Sequence, residues 1–188
     1  MRSRKRLYWA VNRPALISNP QSLIPNPFMP SFHIRIANDG LIFSAGHFIT
    51  MGGGTCERLH GHTYRVAAEV QGPLDENQCV VDFLAVHSAL KAIVAELDHR
   101  MLLPTRHPTL RVLSQAGEIE VTWADRRWVF PQDDCLLLPI ANTTTELLAQ
   151  HVGERLLAAL VAMGGGTPGM VRVEIGEGDG ASAVCELP

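Results

Sequence analysis

A histidine pair at His60 and His62, a third histidine at His47 and a cysteine at Cys56 are the residues whose types and spacing can do chemistry. In an extended chain residues two apart project from the same face, so His60 and His62 point together while Gly61 faces away. That geometry suits two ligands on one metal. His47 falls in phase with Phe43 and Ala45 on what reads as the preceding strand, and antiparallel pairing would set its imidazole beside the pair. Three neutral imidazoles with a vacant fourth position describe a catalytic zinc site, as opposed to a closed structural one. The plainer alternative is three ordinary polar side chains on strand faces. His33, His87, His107 and His151 have no such company and read as structural or surface residues.

Cys56 stands four residues before His60 on a Gly-flanked loop that can curl over a metal. A thiolate there would be a general base, because zinc and an adjacent cation lower a thiol pKa toward working pH. The alternative is a small buried apolar residue, which is the reading for Cys79, Cys135 and Cys185. Asp98 and His99 close a helix whose last periodic apolar residue is Leu97. A histidine at a helix C-terminus is favoured when protonated; the pair is either that end effect or a proton relay.

The elements that must position these residues follow from periodicity. Phe32 to Ala37 alternates, Asn38-Asp39-Gly40 is a turn signal, and Leu41 to Ile49 is apolar again, which predicts a β-hairpin. Met51 to Arg58 is a Gly-rich loop, and His60 to Gln71 a third strand. Asp82 is the predicted N-cap of a helix with Phe83, Val86, Leu90, Val94 and Leu97 on one face. A second helix has Asn142 or Thr143 as candidate cap, Leu148, Val152, Leu156 and Leu160 along one side, and Gly164 to Gly166 as its stop. Met170 to Ile175 and Ala181 to Leu187 are closing strands. Between the helices, Ile119 to Trp123 and Trp128 to Phe130 predict a small extra hairpin. The order implies an α+β domain with two helices on one face of an antiparallel sheet.

Size permits one ordinary core in the 188 residues. The longest apolar stretches fall far short of the roughly 20 residues of a membrane span. Arg2, Arg4, Lys5, Arg6 and Arg13 lie in the first thirty residues, which hold no acid; removing those five from the 16 basic residues leaves 11 against 19 acidic. An acidic body without a basic stripe argues against a nucleic-acid partner. The scattered cysteines, with no CxxC pair and no secretory signal, suggest reduced thiols in a cytoplasm. Residues 1–30, rich in Arg, Asn, Pro and Ser, read as a leader, either a disordered or targeting extension or an overextended start with Met29 as initiator.

Five ordered motifs, FSAGH (Phe43 to His47), CERLHGH (Cys56 to His62), VVDF (Val80 to Phe83), LDH (Leu97 to His99) and NTTTE (Asn142 to Glu146), resemble those of the 6-pyruvoyltetrahydropterin synthase and 6-carboxytetrahydropterin synthase family. The likeness covers roughly 31 to 187, leaving out much of an insert at about 104–139. It implies the tunnelling fold, in which subunits join their sheets into a β-barrel, commonly as a hexamer with active sites between subunits. It assigns His47, His60 and His62 to Zn2+ and Cys56 to proton abstraction, with Asp98 and His99 of a neighbouring subunit activating the thiol. It also implies that Glu177 grips the ring of a pterin triphosphate substrate. The three residues between Cys56 and the HGH triplet resemble the 6-carboxytetrahydropterin synthases of the queuosine route, with 6-pyruvoyltetrahydropterin synthase or a non-catalytic pterin-binding homologue as alternatives. The chain departs from the family pattern at Leu103, in the long insert, and at Gly178 after Glu177.

Overall fold

The computed structural model describes residues 30–52, 54–164, 168–178 and 180–188; the expected leader lies outside them, apart from Pro30, as does part of the Gly164 to Gly166 stop. Ser31–Pro188 forms one compact unit. Its main sheet has six strands in the order β11-β10-β4-β1-β5-β9. These are β1 (Phe32–His47), β4 (His60–Gly72), β5 (Arg100–Pro104), β9 (Cys135–Leu138), β10 (Met170–Glu177) and β11 (Ala181–Leu187). Helices α1 (Phe83–Leu97) and α2 (Thr145–Ala162) cover one face.

The predicted first hairpin is not one. β1 runs unbroken and pairs with β4 on both sides of a register shift between Ala37↔Ala67 and Ile42↔Arg65. Asn38-Asp39-Gly40 is therefore part of a bulge, closed locally by the Gly40 N–H donating to Asn38 Oδ1 at 2.9 Å. A hairpin and a bulge use the same residue types, since both need local backbone freedom. The bulge changes the phase of β1: Ile34 and Ile36 are buried before it, and Leu41, Phe43, Ala45 and His47 after it. β4 keeps one phase throughout, burying Tyr64, Val66, Ala68 and Val70. The shift is what brings His47 to the helix-covered face opposite His60.

The sheet is mixed, because β5 pairs parallel with β1 and β9 parallel with β5. His99, with φ of 56°, turns the chain out of α1 so that Arg100 lands beside Ala45. Asp82 caps α1 as expected, its Oδ1 accepting from the Leu84 N–H at 2.8 Å. Phe83, expected on the buried face, is exposed, while Val86, Leu90, Val94 and Leu97 are buried. The cap of α2 is Thr144, one residue beyond the candidates, whose Oγ1 accepts from Leu147. The NTTTE run offers four consecutive side chains able to cap; Asn142 and Thr143 are instead committed to Thr50 and Phe48.

The insert is a three-stranded sheet, not a two-stranded hairpin: β6 (Arg111–Gln115), β7 (Glu118–Trp123) and β8 (Arg126–Pro131). Ala116 and Gly117, both at positive φ, make the tight β6–β7 turn. Its Ile119 and Val121 join Phe48, Cys56, Met101, Leu103 and Leu110 in a second apolar cluster. A two-residue ladder, β2 (Thr50–Met51) with β3 (Thr55–Cys56), starts one residue before the expected Gly-rich loop and otherwise lies within it. Among the described residues no helix is long and apolar enough to cross a membrane.

Candidate metal centre

The core face of the sheet is apolar until its last register positions. On β10, Glu177 follows the buried residues Val171, Val173 and Ile175 in the same phase. On β4, His60 and His62 continue the phase of Tyr64 and Val66, and His47 ends that of β1. One potential ligand atom from each of His47, His60, His62 and Glu177 falls within 4.8 Å of the others. The three imidazole centroids are 4.7, 5.3 and 4.8 Å apart.

Two of the rings have one nitrogen committed. His47 Nδ1–H donates to the Thr143 carbonyl at 2.9 Å and His60 Nδ1–H to the Arg58 carbonyl at 2.7 Å. These bonds fix the tautomers and leave Nε2 of each ring with its lone pair, as in metal-ligating histidines whose other nitrogen donates to a carbonyl. Burial is the main cause that lowers the His47 pKa, with the Thr143 bond opposing it and the other two histidines adding to it. A neutral imidazole is the form that binds a metal. His62 Nε2 lies 2.8 Å from Glu177 Oε1, and His47 Nε2 lies 3.7 Å from the same oxygen. The Tyr64 hydroxyl sits 3.2 Å from His47 Nε2, and burial pushes its phenol well above the usual range, so it keeps its proton.

The donor set fits a cation of the zinc type. Tetrahedral zinc takes imidazole nitrogens at about 2.0–2.1 Å, which sets ligand atoms about 3.4 Å from one another. The ligand atoms of the group lie within 4.8 Å of one another, so side-chain adjustment would bring them to that spacing. Glu177 faces both ways: its Oε2 accepts a hydrogen bond from the Thr145 hydroxyl, and it lines a cleft of about 430 Å³ with Thr145, Glu146, Ile49 and Ser182.

Cys56, Asp98 and His99 are not part of this four-residue group. Cys56 is buried in the second apolar cluster, its Sγ donating to the Glu57 carbonyl at 3.5 Å. Burial pushes its thiol up, opposed by Arg126 and reinforced by Glu57. Asp98 Oδ1 accepts from the Ser44 N–H at 2.8 Å, the leading cause of its lowered carboxyl pKa, and Asp98 Oδ2 meets His99 Nδ1 at 2.9 Å. His99 is largely exposed and shares a groove of about 650 Å³ with His60 and His62.

Residues 40–188 match the family described as 6-pyruvoyl tetrahydropterin synthase. The chain belongs to that family. Among relatives of the family, it is 32% identical over 145 residues to a Methanocaldococcus jannaschii protein named "Putative 6-carboxy-5,6,7,8-tetrahydropterin synthase", covering 77% of this chain and 88% of that one. It is 32% identical over 102 residues to the 6-carboxy-5,6,7,8-tetrahydropterin synthase of Aquifex aeolicus, covering 54% and 59%. Its fold matches the 6-pyruvoyl tetrahydropterin synthase of Plasmodium falciparum with a TM-score of 0.76 at 25% identity, over 84% of this chain and 98% of that one. The Plasmodium vivax 6-pyruvoyl tetrahydropterin synthase gives 0.77 at 22% identity, over 85% and 99%. The expected tunnelling-fold subunit, a curled mixed sheet with two helices, is the one observed.

Sequence reasoning missed the residues that orient the site. Thr143, Thr145, Tyr64 and Arg126 each hold a site residue or its backbone. The only sequence signals are the phase of Tyr64 with the HGH triplet and the density of hydroxyls in NTTTE.

Proposed function

We propose that this chain is a zinc-dependent lyase converting 7,8-dihydroneopterin triphosphate, with uptake of water, to 6-carboxy-5,6,7,8-tetrahydropterin, triphosphate and acetaldehyde, in the 7-deazaguanine route to queuosine. The observation that carries the reading is the set of imidazoles of His47, His60 and His62, two with their second nitrogen tied off, next to a carboxylate at the mouth of a cleft. The names of the relatives favour the 6-carboxy product.

His47, His60 and His62 would hold the zinc. When bound, the ion supplies Lewis acidity to the substrate side-chain oxygens and acidifies the adjacent C–H, so a weak base suffices. Cys56 is that base. Asp98 and His99 of a neighbouring copy receive and return its proton, the 2.9 Å contact between them fixing the imidazole tautomer. Glu177 accepts hydrogen bonds from the amino-pyrimidinone edge of the pterin and so orients it. The outer strands β9 and β11 leave edges for another copy to extend into the barrel of a hexamer.

Mass spectrometry of the products formed by the zinc-loaded protein from 7,8-dihydroneopterin triphosphate, with acetaldehyde assayed in parallel, tests the reading. The expected result is 6-carboxytetrahydropterin with acetaldehyde. A 6-pyruvoyl product would replace it with the triphosphate-eliminating synthase. One observation favours a non-catalytic pterin-binding homologue instead: the Cys56 thiol is buried and pushed up, away from the thiolate form. Intact substrate that still binds would establish that reading.

A further inference from the structure

The insert sheet packs Ile119 and Val121 into the cluster that holds Cys56, and it hydrogen-bonds to the backbone of that segment through Arg126. Arg126, the first residue of β8, donates from one guanidinium nitrogen to the Cys56 carbonyl at 2.7 Å and to the Glu57 carbonyl at 3.1 Å. The Glu57 carbonyl also takes the Cys56 S–H. The guanidinium lies 4.6 Å over the ring of Trp128, and that ring stacks on Phe48 at 4.7 Å and 16°. Phe48 directly follows His47. A chain of contacts therefore runs from the Cys56 backbone through the insert to the end of β1 that carries the first histidine.

Both bonds leave a single nitrogen, which an ammonium could imitate; what arginine adds is the planar cation that stacks on the Trp128 ring and so holds that nitrogen in place. Besides Arg126, the Cys56 segment is held by the two-residue ladder between β2 and β3, by the Glu57 N–H donating to the Ile49 carbonyl at 2.9 Å, and by burial of the Cys56 side chain in the second apolar cluster. A proton-abstracting group must be held within a fraction of an ångström of its target, and a 1 Å error costs about 100-fold in rate.

We propose that the insert is a positioning device for the catalytic cysteine, with Arg126, braced by Trp128, as the residue that fixes the Cys56–Glu57 backbone. The proposal rests on Cys56 being the base. Arg126 is a positioning residue: it acts through the two carbonyls and not on the substrate. Its charge also opposes the burial that pushes the thiol up, a secondary benefit of the same placement.

The test uses the full-length zinc-loaded protein as wild type, Arg126→Ala, Arg126→Lys and Cys56→Ala. It reads kcat, KM, zinc content and the rate at which iodoacetamide alkylates Cys56, followed by peptide mass spectrometry with exposed Cys79 as internal reference. Arg126→Ala is expected to lower kcat on the order of 10- to 100-fold, with KM within about twofold and zinc unchanged. Cys56 alkylation should rise at least about 10-fold as its packing loosens, while Cys79 alkylation stays constant. Arg126→Lys, keeping charge and one carbonyl bond, should fall between the two on both readouts. Wild-type kcat in Arg126→Ala, with or without faster alkylation, overturns the proposal while leaving the base assignment intact if Cys56→Ala is inactive. Full turnover by Cys56→Ala overturns the base assignment and the proposal with it. If Arg126→Ala does not fold, Arg126→Lys carries the test, and wild-type kcat and alkylation there overturn it.

Discussion

His47 and Phe48 are neighbours in the chain and belong to different regions. His47 ends the polar corner of the main sheet, where three imidazoles and Glu177 converge. Phe48 enters the apolar cluster under the insert, where Cys56 lies. Strand phase places the polar corner: once β1 and β4 pair in register, His47 must face His60, and Thr143 and Thr145 then only orient side chains already there. The Cys56 region has no such guarantee and depends on a distant element, the insert, folding back onto it. On the proposed assignments, metal binding and base placement are therefore separable, and mutations should divide along that line.

The largest expected effect falls on the polar corner. His60→Ala is expected to remove bound zinc and essentially all turnover, since it takes one of the three protein ligands that a catalytic zinc site commonly has. Its Cys56 alkylation rate should stay near that of zinc-free wild type. Elemental analysis checks the first outcome, and zinc at one per chain would overturn the ligand assignment. Phe48→Ala should do the reverse. The side chain is 1% exposed and stacked on Trp128, so truncation costs about 3–5 kcal/mol. The apparent Tm should drop while residual folded protein still binds zinc; loss of zinc in folded protein would show that the two regions are one.

Glu177→Gln sharpens the comparison on the polar side. An uncharged amide cannot replace a carboxylate facing two donors, which costs about 1.5–3 kcal/mol per charged hydrogen bond. Pterin affinity in a calorimetric titration should fall about 10- to 100-fold with zinc retained. Zinc lost instead would make Glu177 a fourth ligand, a role its 2.8 Å approach to His62 also permits.

The asymmetry between the regions explains what could be read in advance. His60, His62 and the phase of His47 were visible because a strand repeats every two residues, and the motif carried the rest. Glu177 stood in phase with Val171, Val173 and Ile175, a carboxylate in a buried register, yet only the family resemblance singled it out. The bulge was misread as a hairpin because Asn-Asp-Gly suits both, and only long-range pairing with β4 decides between them. β5, β6 and β9 went unseen for a related reason: β5 and β9 are short parallel strands whose burial comes from distant neighbours. β6 exposes most of its length. The Arg126 clamp spans about 70 residues and leaves no local pattern at all.

The smallest expected effect lies outside both regions and serves as their control. Arg155 on α2 makes a bidentate pair with Glu96 on α1, at 2.6 and 2.8 Å, with both side chains about a third to a half exposed. Screening limits such a pair to about 0.2–1 kcal/mol. The Arg155 hydrogen bonds are the leading cause that lowers the Glu96 pKa. A folded-state value below the unfolded one means the stabilisation is full above the unfolded carboxylate range and is lost as pH falls through the lowered value. Arg155→Ala should therefore lower Tm slightly at pH 7, and the difference from wild type should close as the medium is acidified below about pH 4. Zinc content, kcat and Cys56 alkylation should all match wild type. A Tm difference that persists undiminished in acid would mean that Arg155 stabilises the helix pair by packing its aliphatic stem.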